Sequence, residues 1–345
     1  MRRRNWIEFC SARMPLIVEI TTRRSNRLAG ALAMLAALAA SPASAQFTSG
    51  APIRIIVPFA PAGSSDVLAR VLQGPLQKAL NHTVVVENRA GAGSNLGTSE
   101  VARARPDGYT LLVVSSAFVV NPALYKSVPY DPAKDFVPLA TLPVAPNILV
   151  TQAKSGMGSV ADVIARAKAN PGKLNYASPG NGTTPQLAME LLKLKGGIDV
   201  TNIAYGGGGP ATLALLTGTV DLLLTALPGA QEQVKTGTMK GLAITTAQRW
   251  PDLPDVPTFA ESGFPDVALD TEHFFMAPAG TPPEVAGALS KAALAVLAQD
   301  EVKERVRQVG YAWVAGGPDA VRARIAKNVP FFKDLVANAK IPQIE

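Results

Sequence analysis

Cysteine is almost missing from these 345 residues: the only one, Cys10, stands before the first apolar run. Beyond it there is no thiolate nucleophile, no disulfide and no cysteine-ligated metal to consider. Histidine is nearly as scarce. His82 and His273 lie far apart and outside any HExxH or paired spacing, which argues against a catalytic zinc. No apolar stretch of about 18 residues follows Ala45, so no membrane-spanning helix is expected there. Several motifs are missing as well. Residues 91–97 read GxGxxxG, one residue too long for a dinucleotide fingerprint. Residues 206–209 lack the Lys-Ser/Thr of a P-loop, and there is no GxSxG nucleophile elbow. Ser64, Ser65, Ser115 and Ser116 therefore stand without a supporting catalytic motif, and hydroxyls that donate to a ligand carboxylate are the better use of them.

The N-terminus carries an export signal. Arg23, Arg24 and Arg27 precede an apolar core at 28–40, followed by Ser41-Pro42-Ala43-Ser44-Ala45. The Ala43-x-Ala45 pattern predicts cleavage between Ala45 and Gln46, with translation starting at Met1 or Met14. The segment distorts the bulk charge: seven arginines against two glutamates give it +5 of the chain's +7, leaving about +2 for residues 46–345. A nearly neutral mature chain makes no electrostatic case for nucleic acid. Its 300 residues suffice for two domains built on sizeable cores without disulfides.

Strand-like and helix-like segments alternate along the mature chain. Apolar, β-rich residues 53–60 predict a buried parallel strand. Ser64 or Ser65 then starts a helix to about residue 80, which Gly74-Pro75 is expected to kink or split. Strands follow at 83–87 and 109–115, with a Gly-rich loop and a short helix between them. A second α/β block has helices at 159–169, 185–194 and 210–216, and strands at 174–178, 200–205, 220–225 and 241–246. Helices at 282–298, 301–309 and 318–339 complete the chain. The proline-punctuated stretches 126–150 and 250–280 read as two extended crossings, with hinges around 140–148 and 271–277. The fold class is α/β, with parallel-rich sheets. Residues 46–145 and 275–345 form lobe 1, and 146–274 form lobe 2.

Gly-rich loops at 61–66, 90–97 and 180–184 each lead from a strand to a helix N-terminus. Free N–H groups and the positive helix end make such a place an anion site. Loops of this kind, from both lobes, suggest a shared anion cleft. Asp66 either compensates its helix dipole or orients the first loop toward a ligand. His273 is either a core-satisfied imidazole or a cleft-lining donor. Arg89 is either a carboxylate fork or a surface arginine.

Longer motifs carry a resemblance. They are IIVPFAPAGSSDVLAR at 55–70, VVVENRAGAGSNLG at 84–97, PDGYTLL at 106–112, LYKSVPYDPAKDF at 124–136, KANPGKLNYASPGNGTT at 168–184, LPDVPTFAESGFP at 253–265 and MAPAGTPPEV at 276–285. In this order they resemble the Bug family, extracytoplasmic solute-binding receptors of tripartite tricarboxylate transporters. The resemblance implies a type II periplasmic binding fold and a periplasmic, non-enzymatic, monomeric receptor. It implies no cofactor or metal, a small organic carboxylate as ligand and a tripartite tricarboxylate-type membrane permease as partner. Carried over by position, it places ligand contacts at Ala62, Gly63, Ser64, Ser65 and Asp66, and in the second lobe at Ser178, Gly180, Asn181, Gly182 and Thr183. The chain departs from the family in four places. Ala60-Pro61-Ala62-Gly63 replaces Pro-Pro-Gly-Gly, and Thr225-Ala226 replaces Asp-Asn. Tyr205-Gly206-Gly207 replaces Tyr-Lys-Gly, and Glu272-His273-Phe274-Phe275 stands where a Trp-Phe pair is common. Thr225 and His273 thus join the expected binding residues. Thr225 cannot neutralise an ammonium, so a carboxylate without an amino group is expected; if His273 faces the cleft, it adds a donor to a second carboxylate and its charging is expected to favour binding at lower pH. The competing readings are a ligand sensor for a signalling partner and a periplasmic hydrolase using His273 as base.

Overall fold

Two five-stranded sheets, each flanked by helices, divide the chain, and the computed structural model describes residues 50–345. The expected export signal and its cleavage site lie outside the described residues. In the first sheet, β1 (Ile53–Val57), β2 (Val84–Asn88) and β3 (Thr110–Ser115) run parallel; β4 (Phe136–Ala145) and the late strand β10 (Thr271–Pro278) complete it in the order β2-β1-β3-β10-β4. β10 is antiparallel to both β3 and β4. The second sheet repeats the plan in the order β7-β6-β8-β5-β9, from β5 (Asn147–Gln152), β6 (Asn175–Ser178), β7 (Thr201–Ala204), β8 (Leu222–Ala226) and β9 (Met239–Ile244). Here β5 is the antiparallel strand, pairing with β8 and β9. Each lobe therefore seats, inside its own sheet, the strand that has just arrived from the other lobe.

The helices follow from apolar spacing. In α1 (Ser64–Leu80) Leu68, Leu72 and Leu76 recur every fourth residue and are buried against the first sheet. Pro75 lies inside that one helix, so the chain is not split there. Asn81 ends it in the left-handed region, its N–H returning to the carbonyls of Gln77 and Lys78. The remaining helices are α2 (Asn95–Ala102), α3 (Ala117–Leu124), α4 (Val160–Ala169), α5 (Thr184–Gly196), α6 (Gly208–Leu216), α7 (Gln231–Lys235), α8 (Pro283–Leu297), α9 (Asp300–Gln308) and α10 (Pro318–Asn338). Ile53, Ile55, Ile56 and Val57 of β1 are all buried, each contributing about 1.5–3 kcal/mol of apolar transfer.

The crossings are shorter than the proline pattern suggests. Residues 136–152 are two strands with Pro146 alone between them, and the return ends at Thr271, where β10 begins. The expected lobe boundary between 274 and 275 falls inside β10, whose ladders to β3 and β4 place it in the first lobe. One buried polar cluster clasps both crossings. The Asn147 side chain donates to Thr184 Oγ1 and the Leu269 carbonyl and accepts from Thr271 Oγ1. Thr184 and Thr271 also bond each other at 2.7 Å. Thr245 Oγ1 accepts from the Asn147 N–H and reaches Asp270.

Candidate functional site

Three helices that no side chain caps start at one cavity between the lobes. They are α1, α5 and α6, with Gly63, Thr183 and Gly207 at their N-caps. Gly63, Ser64 and Ser65 line the cavity from the first, Thr183 and Pro185 from the second, and Gly208 from the third. First-turn N–H groups have no intrahelical partner, and the positive ends of three helix dipoles meet here. Thr225 and Ala226 close the wall from the end of β8, Ser115 from the end of β3 and Thr271 from the start of β10, with Phe59 and Pro179 beside them. None of the lining side chains is charged. Such a wall can hold an anion through peptide dipoles and hydroxyls rather than through an ion pair.

The cavity is small, ≈ 30 Å³, about two waters' worth. The lobes touch around it. Ala60 N–H donates to the Gly206 carbonyl at 2.8 Å, and a Cβ on Gly63 would come within 3.1 Å of Gly208 N.

Asp66 lies behind the first loop rather than on the wall. Its buried carboxylate accepts from the Ala62 N–H at 2.9 Å, Arg70 Nε at 3.0 Å and Asn88 Nδ2 at 2.9 Å. These bonds hold Ala62 at φ 64°, a left-handed conformation that costs an alanine about 1–2 kcal/mol. Asp66 is thus the brace of the loop. Ser65 Oγ is buried without a partner among the described residues, and a buried donor of this kind needs one.

His273 is wholly buried one layer behind the wall, its ring edge-on to Tyr311. Nδ1 lies 3.0 Å from the Pro143 carbonyl and Nε2 lies 3.1 Å from Ser64 Oγ. Tyr311 donates its hydroxyl to the Ser64 carbonyl. Burial pushes the His273 pKa from 6.5 down to about 4. The imidazole is therefore neutral across the ordinary pH range, and the expectation that its charging aids binding is corrected.

The other expected residues divide. Ser178 Oγ donates to Asn202 Oδ1, and Asn202 Nδ2 to Asn181 Oδ1, so these side chains tie the end of β6 and the loop after it to β7. Thr183 Oγ1 donates to the Gly180 carbonyl and shapes the turn. Gly182 lets the second lobe approach Asn121, whose side-chain oxygen occupies the place of a Cβ. Ala62, Asp66, Ser178, Gly180, Asn181, Gly182 and His273 all lie off the cavity wall, whereas Gly63, Ser64, Ser65, Thr183 and Thr225 are on it.

The loop at 90–97 is also off the wall. Gly93 meets Tyr125 and the Asn181 carbonyl, making a contact between lobes. Arg89 is a surface residue paired with Glu87 and Glu100. The third helix start comes instead from the glycines at 206–209, which lack a P-loop's Lys-Ser/Thr and were not among the expected anion loops. A glycine run between a strand and a helix was the signal available there. Glu272 is taken up by Arg324 and Asn328 of α10.

A two-lobed α/β body with a small cavity between its sheets is the architecture of periplasmic binding proteins. A family model described as the tripartite tricarboxylate transporter family receptor, TctC, matches residues 68–337. The protein BugT of Bordetella pertussis is 38% identical over 84% of this chain and 90% of its own length. The periplasmic binding protein BugD superposes with a TM-score of 0.82 at 33% identity, covering 85% of this chain and 99% of that one. MatC of Rhodopseudomonas palustris, solved with bound malate, gives a TM-score of 0.76 at 29% identity over 83% and 98% of the two chains. The chain belongs to the TctC family, whose members are periplasmic solute-binding receptors.

Proposed function

We propose that the protein captures a small organic carboxylate between its lobes and delivers it to a tripartite tricarboxylate-type permease, acting in the periplasm as a monomer after removal of residues 1–45. The observation that carries this reading is the convergence of three uncapped helix N-termini on one cavity without a charged side chain. The malate in MatC, a family structure of like fold, supports the carboxylate class. Ligand contacts fall to the N–H groups and hydroxyls of Gly63, Ser64, Ser65, Thr183, Gly208 and Thr225. A four-carbon diacid exceeds the present cavity, so the lobes part to admit it, turning about Pro146 and residues 269–270. Calorimetry of the mature protein against mono-, di- and tricarboxylates tests the reading. Saturable binding of at least one carboxylate is expected, and no binding to any of them at millimolar concentration refutes it.

The Ser64–His273 contact raises a second reading, a hydrolase. Two features oppose it. Nδ1 is held by a peptide carbonyl rather than a carboxylate, and an imidazole that titrates at about 4 is a weak general base at neutral pH. No turnover of p-nitrophenyl esters above that of a Ser64→Ala variant is the expected result.

A further inference from the structure

Ser64 is the one hydroxyl on the cavity wall whose proton is spoken for by an imidazole. The Pro143 carbonyl can only accept, so Nδ1 of His273, 3.0 Å away, carries the ring hydrogen. In the neutral ring Nε2 is then an acceptor, and Ser64 Oγ at 3.1 Å is its donor. The pair is held firmly. His273 has no exposed surface and packs edge-on to Tyr311, which in turn holds the Ser64 carbonyl. Ser64 therefore offers the cavity lone pairs and no proton. Its neighbour Ser65 is the opposite case, a buried hydroxyl with no partner and a proton to give.

Adjacent positions on one helix turn thus differ in kind: Ser65 and the first-turn N–H groups suit a carboxylate, while Ser64 repels one and suits a donor. An ammonium is a poor donor for this place. No acidic side chain lines the cavity, Asp66 is occupied by three donors and Glu272 by α10, so its charge would be buried unpaired. Building on the receptor reading, we infer that the Ser64–His273 pair makes this protein selective for carboxylates bearing a neutral donor, a hydroxyl, next to the acid group.

Matched ligands test this by calorimetry on the mature protein: malate, succinate and aspartate, with lactate, propionate and alanine, and citrate with tricarballylate. The hydroxy acid of at least one set is expected to bind at least tenfold more tightly than its deoxy and amino counterparts. In Ser64→Ala that ratio should fall below about threefold. His273→Phe, which frees the Ser64 proton, should narrow it as well by improving binding of the deoxy acid. Thermal melts of both variants establish that they are folded, and either folded variant suffices. A hydroxy-acid preference below tenfold over the deoxy acid in every set that binds the unaltered protein, equal or reversed binding included, overturns the inference and leaves the receptor reading standing. So does a hydroxy-acid preference that survives in a folded variant. Tighter binding of the amino acid overturns it too and points to an acid not on the wall. Failure of every compound to bind removes the receptor reading, and this inference with it.

Discussion

Where residues 60–63 meet residues 206–209 across the cleft, peptide lies on peptide; where Gly93 meets the Asn181 carbonyl and Gly182 meets the Asn121 side chain, glycine lies beneath a polar group of the other lobe. Both seams use glycine to bring the lobes close. Only in the first do the glycines themselves line the cavity: Gly63 is the N-cap of α1 and Gly208 opens α6, whereas Gly182 stands one residue before the N-cap of α5 and lies off the wall. In the second, the Asn121 side chain donates to the Gly93 carbonyl and to Asn95, and nothing of that seam lines the cavity. Glycine density alone therefore does not mark a binding loop. What marks one is a glycine that itself stands at the N-cap or in the first turn of a helix whose start lines the cavity, as Gly63 and Gly208 do.

The second seam should be the costlier to break. Gly182 has φ 77° and its Cβ position is filled by the buried Asn121 side chain. Gly182→Ala combines left-handed strain with overpacking and is expected to lose about 3 kcal/mol in urea unfolding. A loss below about 1 kcal/mol would mean this seam yields easily.

Acid tests what lies behind the first seam. Unfolded His273 accepts a proton below about 6.5, while the folded protein refuses it until about 4. Its contribution to stability is thus complete above pH 6.5 and declines as the pH falls toward 4, by about 3.4 kcal/mol in all, of which about 2.5 kcal/mol is lost by pH 4.5. Unfolding at pH 7 and pH 4.5 should show His273→Phe losing less stability than the unaltered protein by that margin; equal losses would show that the imidazole is already charged.

Widening the first seam should act on binding more than on folding. A side chain at Gly63 meets Gly208 N of the other lobe, so Gly63→Val is expected to lower affinity for whichever carboxylate binds the unaltered protein at least tenfold, about 1.4 kcal/mol, with a cooperative melt retained. Unchanged calorimetry would separate the seam from the site. The smallest effect is a gain. Ala62→Gly relieves a left-handed alanine and should add about 1 kcal/mol to unfolding stability.

The buried parallel strands and amphipathic helices were legible because burial imposes a period on them, as in β1 and α1. Other elements hid behind proline. β4 contains Pro138 and Pro143, yet it is the edge strand of its sheet, where a missing N–H is tolerated. Pro75, Pro122 and Pro330 likewise sit inside helices. Within the site, the first loop could be read from its strand–turn–helix order. That Asp66 braces rather than binds could not, since its three donors come from Ala62, Arg70 and Asn88, the last 22 residues away. Nor could the pairing of Ser64 with His273, 209 residues apart, which depends on β10 returning between β3 and β4.

The neutrality of the cavity wall also bears on kinetics. Peptide dipoles at a helix start act within about one turn, whereas a lysine or arginine would draw an anion from a Debye length, about 8 Å in physiological salt. The wall itself therefore does not steer an anion from afar. Any dependence of its association rate on ionic strength must then come from charges outside the cavity, such as Arg89, Glu87 and Glu100, and not from the wall.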